Sequence, residues 1–429
     1  MFSTGAPSRR TNSTLGADFH RLWASVTISS LGDGMRFVAL PLLATGLTTD
    51  PRRVAAVAMA EQLPFFLLAL FAGALADRLD RRRILWLVDA VRTVLVGALA
   101  LAVAAHAVTI PLLIAAGFLL GCGQTLYNGG WSGMVPTIVA PADLTRANSR
   151  IQAAALITDT LLGTPLGAVL FGLAAALPFA VDSASFAAAA LLAFLLRGDF
   201  RPSTRTTTSS SPIRSLRGDV ADGVRWLWQH HALRRLCLLS GLANLVGAGL
   251  TAVLVLYAHQ ALELSDLGFA LLVASFALGG VTGALLTPRL TGRLGVGRLL
   301  RGTVLTTAAA AALLGWTHSG LFAAGGIALY GAASISWGIA TVSLRQRLVP
   351  TALLGRVTMA HQMVYGAGLT LGAAIAGFLA SAGGIRLPFY AGALLLAVIA
   401  LVPTRIPSTP TPAPATSPSP APAAAEEPA

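Results

Sequence analysis

The sequence predicts an all-α, polytopic membrane protein in which twelve transmembrane helices form two six-helix, pseudo-symmetric bundles. Three observations predict this fold class. Apolar residues make up 55% of the 429 residues and charged residues only 11%, with a mean hydropathy of +0.73, whereas soluble domains carry about 25% charged residues. Apolar runs of about 20 residues, the length that crosses a bilayer, recur along the chain. Short segments of the first half also recur in the second half.

The apolar runs define the predicted helices in order. The fifth and sixth runs are almost continuous, and Pro178 marks the turn between them. The predicted helices are 21–46, 54–76, 84–106, 109–133, 151–175, 177–196, 233–258, 267–287, 298–316, 320–343, 357–382 and 385–403.

These runs divide the chain into five segments. The first segment is polar and lacks the apolar core of a signal peptide. The linker begins with a Ser/Thr/Pro-rich stretch, and from Ile213 its apolar residues share one helical face. That pattern predicts an amphipathic helix at the membrane interface, or else a plain soluble linker helix. The Pro/Ala-rich tail is predicted to be disordered and cytoplasmic. The segments are 1–20, the N-terminal bundle 21–196, the linker 197–232, the C-terminal bundle 233–403 and the tail 404–429.

An internal repeat predicts two equivalent halves. The sequence Gly-Ala-Leu at 73–75 recurs at 283–285, and both copies precede a basic segment. The sequence Val-Pro-Thr at 135–137 recurs at 349–351, at nearly the same separation. Parallel repeats of this kind are typical of transporters whose binding site lies between the halves, near the middle of the membrane.

The placement of arginine predicts the orientation. The formal net charge is +13, and all 30 basic residues are arginine. Arg52, Arg53 and Arg386 fall on one side of the predicted membrane. Arg36 and Arg92 lie within helices, and the other arginines fall on the opposite side. Because arginine concentrates on the cytoplasmic side, both termini are expected there. The basic surface is then expected to contact anionic lipid rather than nucleic acid.

A basic segment between the second and third predicted helices has a specific spacing. It reads Gly-Ala-Leu-Ala-Asp-Arg-Leu-Asp-Arg-Arg-Arg over 73–83. This resembles the loop between helices 2 and 3 of the major facilitator superfamily, which has Gly, three residues, Asp-Arg, two residues and Arg-Arg. The five matching positions are Gly73, Asp77, Arg78, Arg81 and Arg82.

The resemblance implies the major facilitator fold and a gating role for this motif. In that superfamily the aspartate helps to latch the two halves together on the cytoplasmic side. Asp77 lies near the C-terminal end of its helix, where the helix dipole disfavours an anion, so a cationic partner or a helix N-terminus is expected beside it. The second half carries Thr287 at the corresponding position, so it lacks the full motif. The alternative is a generic basic loop.

Four shorter stretches resemble one branch of the superfamily. They are Gly32-Asp33, Ala-Leu-Pro-Leu-Leu at 39–43, and the segments 141–148 and 343–357. Together they resemble the branch that contains the enterobactin exporter and macrolide efflux proteins. This resemblance implies export as the direction of transport.

Charged residues within the helices are the candidates for proton coupling, because burying charge in a membrane is costly. Asp33 lies near the middle of the first helix, and Arg36 follows three residues later on the same face. Burial favours the neutral acid and a nearby cation favours the carboxylate, so Asp33 either exchanges a proton or forms a permanent pair. Asp159 is the second candidate. It precedes Gly-Thr-Pro-Leu-Gly at 163–167, which is loosely similar to the antiporter motif of helix 5 or else forms a plain kink.

The other charged residues within helices receive structural interpretations. Asp89 and Arg92 repeat the i, i+3 spacing and predict a structural pair. Glu61 and Asp182 lie in the outer portions of their predicted helices, where water is expected to reach them. The helices of the second half contain no carboxylate at a predicted buried position, so coupling is expected in the first half. The fourth helix lacks the arginine that drug–proton antiporters often carry.

Polar and aromatic residues follow single faces of two predicted helices, the fourth and the tenth. The resemblance implies that helices 1, 4, 7 and 10 line the central cavity. Aromatic walls with few charges suit an amphiphilic organic substrate, whereas the alternative is helix packing with polar contacts. The cavity candidates are Gln124, Tyr127, Asn128, Trp131, Asn244, Tyr330, Ser334 and Trp337.

The sequence therefore predicts a secondary active transporter rather than an enzyme. No catalytic residue set, metal cluster, phosphate loop or cofactor is expected. We predict a monomer in the cytoplasmic membrane that exports a small amphiphilic compound, such as a drug, siderophore or secondary metabolite, by proton antiport and alternating access. The alternatives are uptake or facilitated diffusion by the same fold, or a non-transporting membrane receptor or scaffold.

Overall fold

The computed structural model describes residues 16–76, 79–139, 143–196, 224–349 and 351–401. These residues form helices joined by short connections. In chain order the helices are α1 Ala17–Leu47, α2 Pro51–Ala76, α3 Arg81–Ala104, α4 Ile110–Ile138, α5 Leu144–Leu156 continued by Ile157–Gly163 and Thr164–Leu173, α6 Leu177–Phe194, α7 His231–Leu256 continued by Tyr257–Ala261, α8 Asp266–Leu294, α9 Val296–Trp316, α10 Gly320–Leu348, α11 Thr351–Gly383 and α12 Leu387–Leu401.

Each predicted apolar run overlaps one of these helices. Ten helices of the described chain are long and apolar enough to cross a membrane. The other two are α2, which carries Arg52, Arg53 and Glu61 in its first three turns, and α12, which has 15 residues. Several helices extend beyond their apolar runs. For example, α5 begins at Leu144 rather than at 151, because its first turns are polar and carry no membrane-spanning pattern.

Local capping explains where several helices begin and end. The side chain of Asp80 accepts a hydrogen bond from the backbone N–H of Arg82 at the start of α3, and Ser265 accepts one from Gly268 at the start of α8. Such N-caps satisfy backbone donors that lack a partner within the helix. Between α8 and α9, Gly295 adopts φ +77°, a conformation that favours glycine and ends a helix.

The helices pack in two equivalent sets. In the first half α1 packs on α5 and α6, α2 on α4, and α3 on α4 and α6. In the second half α7 packs on α11 and α12, α8 on α10, and α9 on α10 and α12. Adding six to each helix number of the first set gives the second set. The packing is therefore that of two pseudo-symmetric six-helix bundles, as the sequence repeat predicts.

Glycine permits the closest helix contacts within the bundles. A Cβ on Gly279 of α8 would collide with the backbone of Ala328 on α10. In the first half a Cβ on Gly34 of α1 would collide with the backbone carbonyl of Asp159 on α5. Small residues allow helix backbones to approach each other closely in a membrane. The second contact brings Asp159 beside the charged residues of α1.

Among the described residues, the two halves meet at the end of the molecule where the even-numbered helices begin. There Arg52 of α2 donates from Nε to Ser381 Oγ of α11 at 2.7 Å, and its guanidinium lies 5.1 Å from the centre of the Phe378 ring. By symmetry, α8 packs against α5 from Ile157 onward. Deeper along α2, the rings of Phe65 and Tyr365 lie 6.0 Å apart. We call this end the closed end, and the other, where odd-numbered helices begin, the basic end.

The described part of the linker contains a short helix at 224–229. Its Leu227 is buried in a cluster with Leu233, Val349 and Val357 at the basic end of the second half, whereas Trp228 is half exposed. The predicted amphipathic helix from Ile213 lies largely outside the described residues, as do the tail and the start of the N-terminal segment.

Candidate functional site

Arg36 of α1 is the centre of a buried charge cluster in the first bundle. Its Nη2 lies 2.8 Å from Asp33 Oδ1, and its Nε lies 3.2 Å from Asp182 Oδ2. Its Nη1 donates to Glu61 Oε1. One guanidinium therefore contacts carboxylates from α1, α2 and α6. This cluster confirms the predicted contact between Asp33 and Arg36 but shows that the two residues do not form an isolated pair.

The three carboxylate side chains differ in burial. Asp182 is fully buried, whereas the side chains of Asp33 and Glu61 are 22% and 20% exposed. Asp182 can reach Arg36 because Gly32 presents no side chain. A Cβ there would collide with Asp182 and with Ser185. Glycine is therefore required at the position that precedes Asp33.

The expectation that water reaches both Glu61 and Asp182 is wrong for Asp182. Its side chain has no exposed surface, because α6, which carries Asp182, packs against α1. Arg36 supplies the counter-charge that such a buried carboxylate needs. The sequence does not predict that Glu61 and Asp182 contact Arg36, because they lie on other helices and no local spacing relates them to Arg36.

Asp159 lies beside this cluster without an ion pair to it among the described contacts. It belongs to the π-helical turn Ile157–Gly163 of α5, which packs against α1 at Gly34. Such turns are frequent at functional sites. With Thr160 and Thr164, Asp159 lines a cavity of about 250 Å³, whose other walls are Phe37 of α1 and mostly apolar and aromatic residues of the second half.

A second buried pair lies on α3. Asp89 and Arg92 approach to 3.9 Å, and both are buried. Nη2 of Arg92 donates to Gln124 Oε1 at 2.5 Å, and its guanidinium lies 5.6 Å from the centre of the Tyr127 ring. These contacts join α3 to α4, and they agree with the structural interpretation of the pair.

A central cavity of about 320 Å³ lies between the two halves. Four of the sequence candidates line it, all from the second half: Asn244, Tyr330, Ser334 and Trp337. Trp337 Nε1 donates to Ser240 Oγ at 3.1 Å, which fixes the indole at the wall. From the first half Phe37 and Glu61 face the same space. The volume is within the range of about 300–1,000 Å³ typical of small-molecule sites.

A more polar cavity of about 390 Å³ adjoins the central one. Gln124 and Asn128 of α4 line it with Arg36 and Glu61, and Gln362 and Tyr365 line it from α11. Glu61 therefore borders both cavities. Phe37 borders these two and the cavity beside Asp159. Tyr127 lies elsewhere, buried below Arg92 in the core of the first bundle. The side chain of Trp131 lies outside the described part of the chain.

The basic motif is described in part. Gly73 lies in α2, and Asp77 and Arg78 are outside the described residues. Arg81 donates to Thr137 Oγ1 of α4 at 3.2 Å, and Arg82 donates to the backbone carbonyl of Phe194 at the end of α6. Both arginines thus bind within the first bundle. The latch to the second half stays a prediction.

The described residues offer no group of three or more His, Cys, Asp and Glu side chains that could hold a metal ion. The free thiols of Cys122 and Cys237 lie on different bundles. The site combines a cavity between the halves with a cluster of three carboxylates and one arginine beside it.

Two pseudo-symmetric bundles around such a cavity have the architecture of a membrane transporter. A family model described as transmembrane secretion effector matches residues 12–427. The chain belongs to this family of major facilitator superfamily transporters. The match confirms the resemblance seen in the basic motif.

Individual relatives agree with this assignment. The chain is 29% identical over 414 residues to the uncharacterized MFS-type transporter YfiS of Bacillus subtilis, covering 89% of this chain and 91% of that protein. It is 27% identical over 287 residues to the multidrug efflux pump Tap of Mycolicibacterium fortuitum, covering 64% and 67% of the two chains. The crystal structure of a bacterial homologue of the iron transporter ferroportin, in an inward-facing state, superposes with a TM-score of 0.71 at 18% identity over 92% of this chain.

Proposed function

We propose that the protein is a proton-coupled exporter of small amphiphilic organic compounds that works by alternating access. The observation that carries the proposal is the Arg36 cluster, in which one buried guanidinium faces Asp33, Glu61 and Asp182 at the border of the central cavity. Family membership establishes a transporter fold, and this cluster supplies a group that can respond to protons.

The charge balance of the cluster supports proton coupling. Three ionised carboxylates around one arginine leave an excess negative charge in a region of low dielectric, which is unfavourable unless a proton or another cation compensates it. Asp33, which is partly exposed and contacts Arg36, is the first candidate for the coupling carboxylate. Asp159 lies beside the neighbouring cavity and is the second candidate.

The packing of the halves supports alternating access from the basic end. The halves are held together at the closed end by Arg52 and by the contact of α5 with α8. By the arginine distribution the basic end faces the cytoplasm, so this state is inward-facing, with both termini cytoplasmic. Rocking of the bundles would break the closed-end contacts and form the latch proposed for Asp77.

Export as the direction is supported by the relative named as a multidrug efflux pump. The cavity supports an amphiphilic substrate, because aromatic residues and the amide of Asn244 line it together. We propose a monomer in the cell membrane whose basic surface contacts anionic lipid.

The test is flux in proteoliposomes. Purified protein is reconstituted with an imposed pH gradient, and a panel of cationic, neutral and anionic dyes is followed by fluorescence. Proton antiport predicts that at least one dye is accumulated only when the lumen is acidic, and that collapsing the gradient with nigericin in potassium buffer stops accumulation. Movement that equilibrates without response to the gradient indicates facilitated diffusion and contradicts antiport. No flux of any dye contradicts transport of this compound class.

A further inference from the structure

The central cavity has a charge of one sign. Among the described residues that line the space of about 320 Å³, Glu61 is the only acidic or basic side chain. The second-half wall is neutral. A ligand that enters this cavity therefore meets a single carboxylate. The charge of the ligand determines whether it attracts or repels this carboxylate.

The rest of the wall suits an organic cation. Phe37, Phe276, Tyr330 and Trp337 supply aromatic rings around the cavity. Aromatic faces attract cations, most strongly where water is excluded. The combination of aromatic rings with one carboxylate binds a cation that carries an apolar body better than it binds a neutral or anionic molecule of the same shape.

Glu61 is the member of the Arg36 cluster that can be released. Arg36 contacts each carboxylate through a different nitrogen, so leaving Glu61 still leaves Asp33 at 2.8 Å and Asp182 at 3.2 Å. Asp182 is fully buried, whereas Glu61 retains 20% exposure and borders both the central and the polar cavity. A ligand can therefore reach Glu61 without leaving Arg36 unpaired.

We propose that the central cavity binds a monovalent organic cation with an apolar, aromatic body, and that Glu61 sets this preference by exchanging its contact with Arg36 for one with the ligand. The inference rests on the proposed transport function, since it names the substrate class of the same site. In the empty state Arg36 occupies the carboxylate, and in the bound state the ligand does.

The test is direct binding, independent of transport. Radiolabelled tetraphenylphosphonium and its near-isosteric anion tetraphenylborate are measured by equilibrium dialysis against the purified full chain in an uncharged maltoside detergent at fixed pH. The wild type is expected to bind the cation at least tenfold more tightly than the anion. Glu61→Gln is expected to weaken cation binding at least tenfold, and Glu61→Asp, which keeps the charge, is expected to retain the preference. Glu263→Gln removes an exposed acid that does not line the cavity and is the matched control.

The inference is overturned if the wild type shows no saturable binding of tetraphenylphosphonium up to 1 mM, if it binds both ions equally or prefers the anion, or if Glu61→Gln binds the cation as the wild type does. If Glu61→Gln is not monodisperse on size exclusion, the wild-type preference and the Glu61→Asp variant decide the outcome. Gradient-driven flux of dyes without a preference for cations would contradict this inference while leaving the transport proposal intact. Selective cation binding without any flux would support this inference and contradict the transport proposal.

Discussion

Arg36 and Asp182 face each other inside the first bundle, with Nε 3.2 Å from Oδ2 and with no surface of the Asp182 side chain exposed. Asp33 and Glu61, both partly exposed, bind the same guanidinium, and Glu61 also borders the central cavity. The cluster thus has a buried side at Asp182 and a partly exposed side at Asp33 and Glu61. We propose that the partly exposed side exchanges protons or ligands. This asymmetry connects the packing of α1 on α6 to the proposed mechanism.

The asymmetry predicts different stability losses for its members. Removing one partner of a buried ion pair costs about 3–5 kcal/mol. Asp182→Asn should cost less than this, because Arg36 keeps two carboxylates, whereas Arg36→Gln leaves three carboxylates facing one another and should cost more. We therefore expect the melting temperature in detergent, measured by size exclusion after heating, to fall in the order wild type, Asp182→Asn, Arg36→Gln.

The control for this series is Asp18→Asn. Asp18 pairs with Arg21 at the same i, i+3 spacing on α1, but both side chains are about one third exposed, and such pairs contribute about 0–1 kcal/mol. A melting temperature of Arg36→Gln at or above that of Asp182→Asn would show that the carboxylates do not depend on Arg36 for compensation.

A second prediction concerns the closed end. Arg52→Ala removes the hydrogen bond to Ser381 and the contact with Phe378, so it should shift the population toward the outward-open state. A cysteine replacing buried Ala373, in a background without Cys122 and Cys237, should then react faster with an impermeant maleimide in whole cells. Arg53→Ala is the matched control, because Arg53 pairs with Asp50 of its own bundle. Equal labelling rates in the two variants would show that Arg52 does not hold the closed end together.

The orientation can be tested with two sites. If the basic end faces the cytoplasm, Arg205 lies in the cytoplasm and Gln260 lies on the outside. In the same cysteine-free background, Gln260→Cys should label in intact cells, and Arg205→Cys should label only after permeabilisation. The reverse pattern would invert the assignment of the basic end and with it the inward-facing state.

The gating motif gives a fourth prediction. Asp77→Asn removes the charge and keeps the size, so it should reduce transport strongly while membrane insertion, followed by a fluorescent fusion, stays normal. Asp80→Asn is the control, because Asp80 caps α3. It tests whether removing any acid of this segment reduces transport. Transport by Asp77→Asn at the wild-type rate would leave the motif without the proposed role.

The sequence predicts the fold well because its signals are local. Apolar length marks each helix, and the i, i+3 spacing on one helix brings Asp33 to Arg36. The rest of the cluster depends on packing between distant segments. Glu61 and Asp182 reach Arg36 only because α2 and α6 pack around α1 and because Gly32 leaves room, and neither condition appears in a local pattern.

The cavity candidates show the same limit. The sequence predicts that one face of α4 lines the cavity. In the structure Gln124 and Asn128 of this face line the polar cavity, whereas Tyr127 lies buried against Arg92. Residues at i and i+3 share a face broadly, but a rotation of a few tens of degrees decides whether a side chain faces the cavity or the neighbouring helix. That rotation is set by the contact of α4 with α2 and α3.

The central claim is that carboxylates of the first bundle couple transport to protons, and Asp33→Asn tests it most directly. In proteoliposomes containing a compound identified by the flux screen, this variant should lose accumulation driven by a pH gradient yet retain exchange of labelled for unlabelled compound at equal pH. The reason is that the amide mimics the protonated acid and cannot release a proton. Full gradient-driven accumulation by Asp33→Asn would exclude Asp33. The same result for Asp159→Asn and for the double variant would contradict proton antiport through these carboxylates.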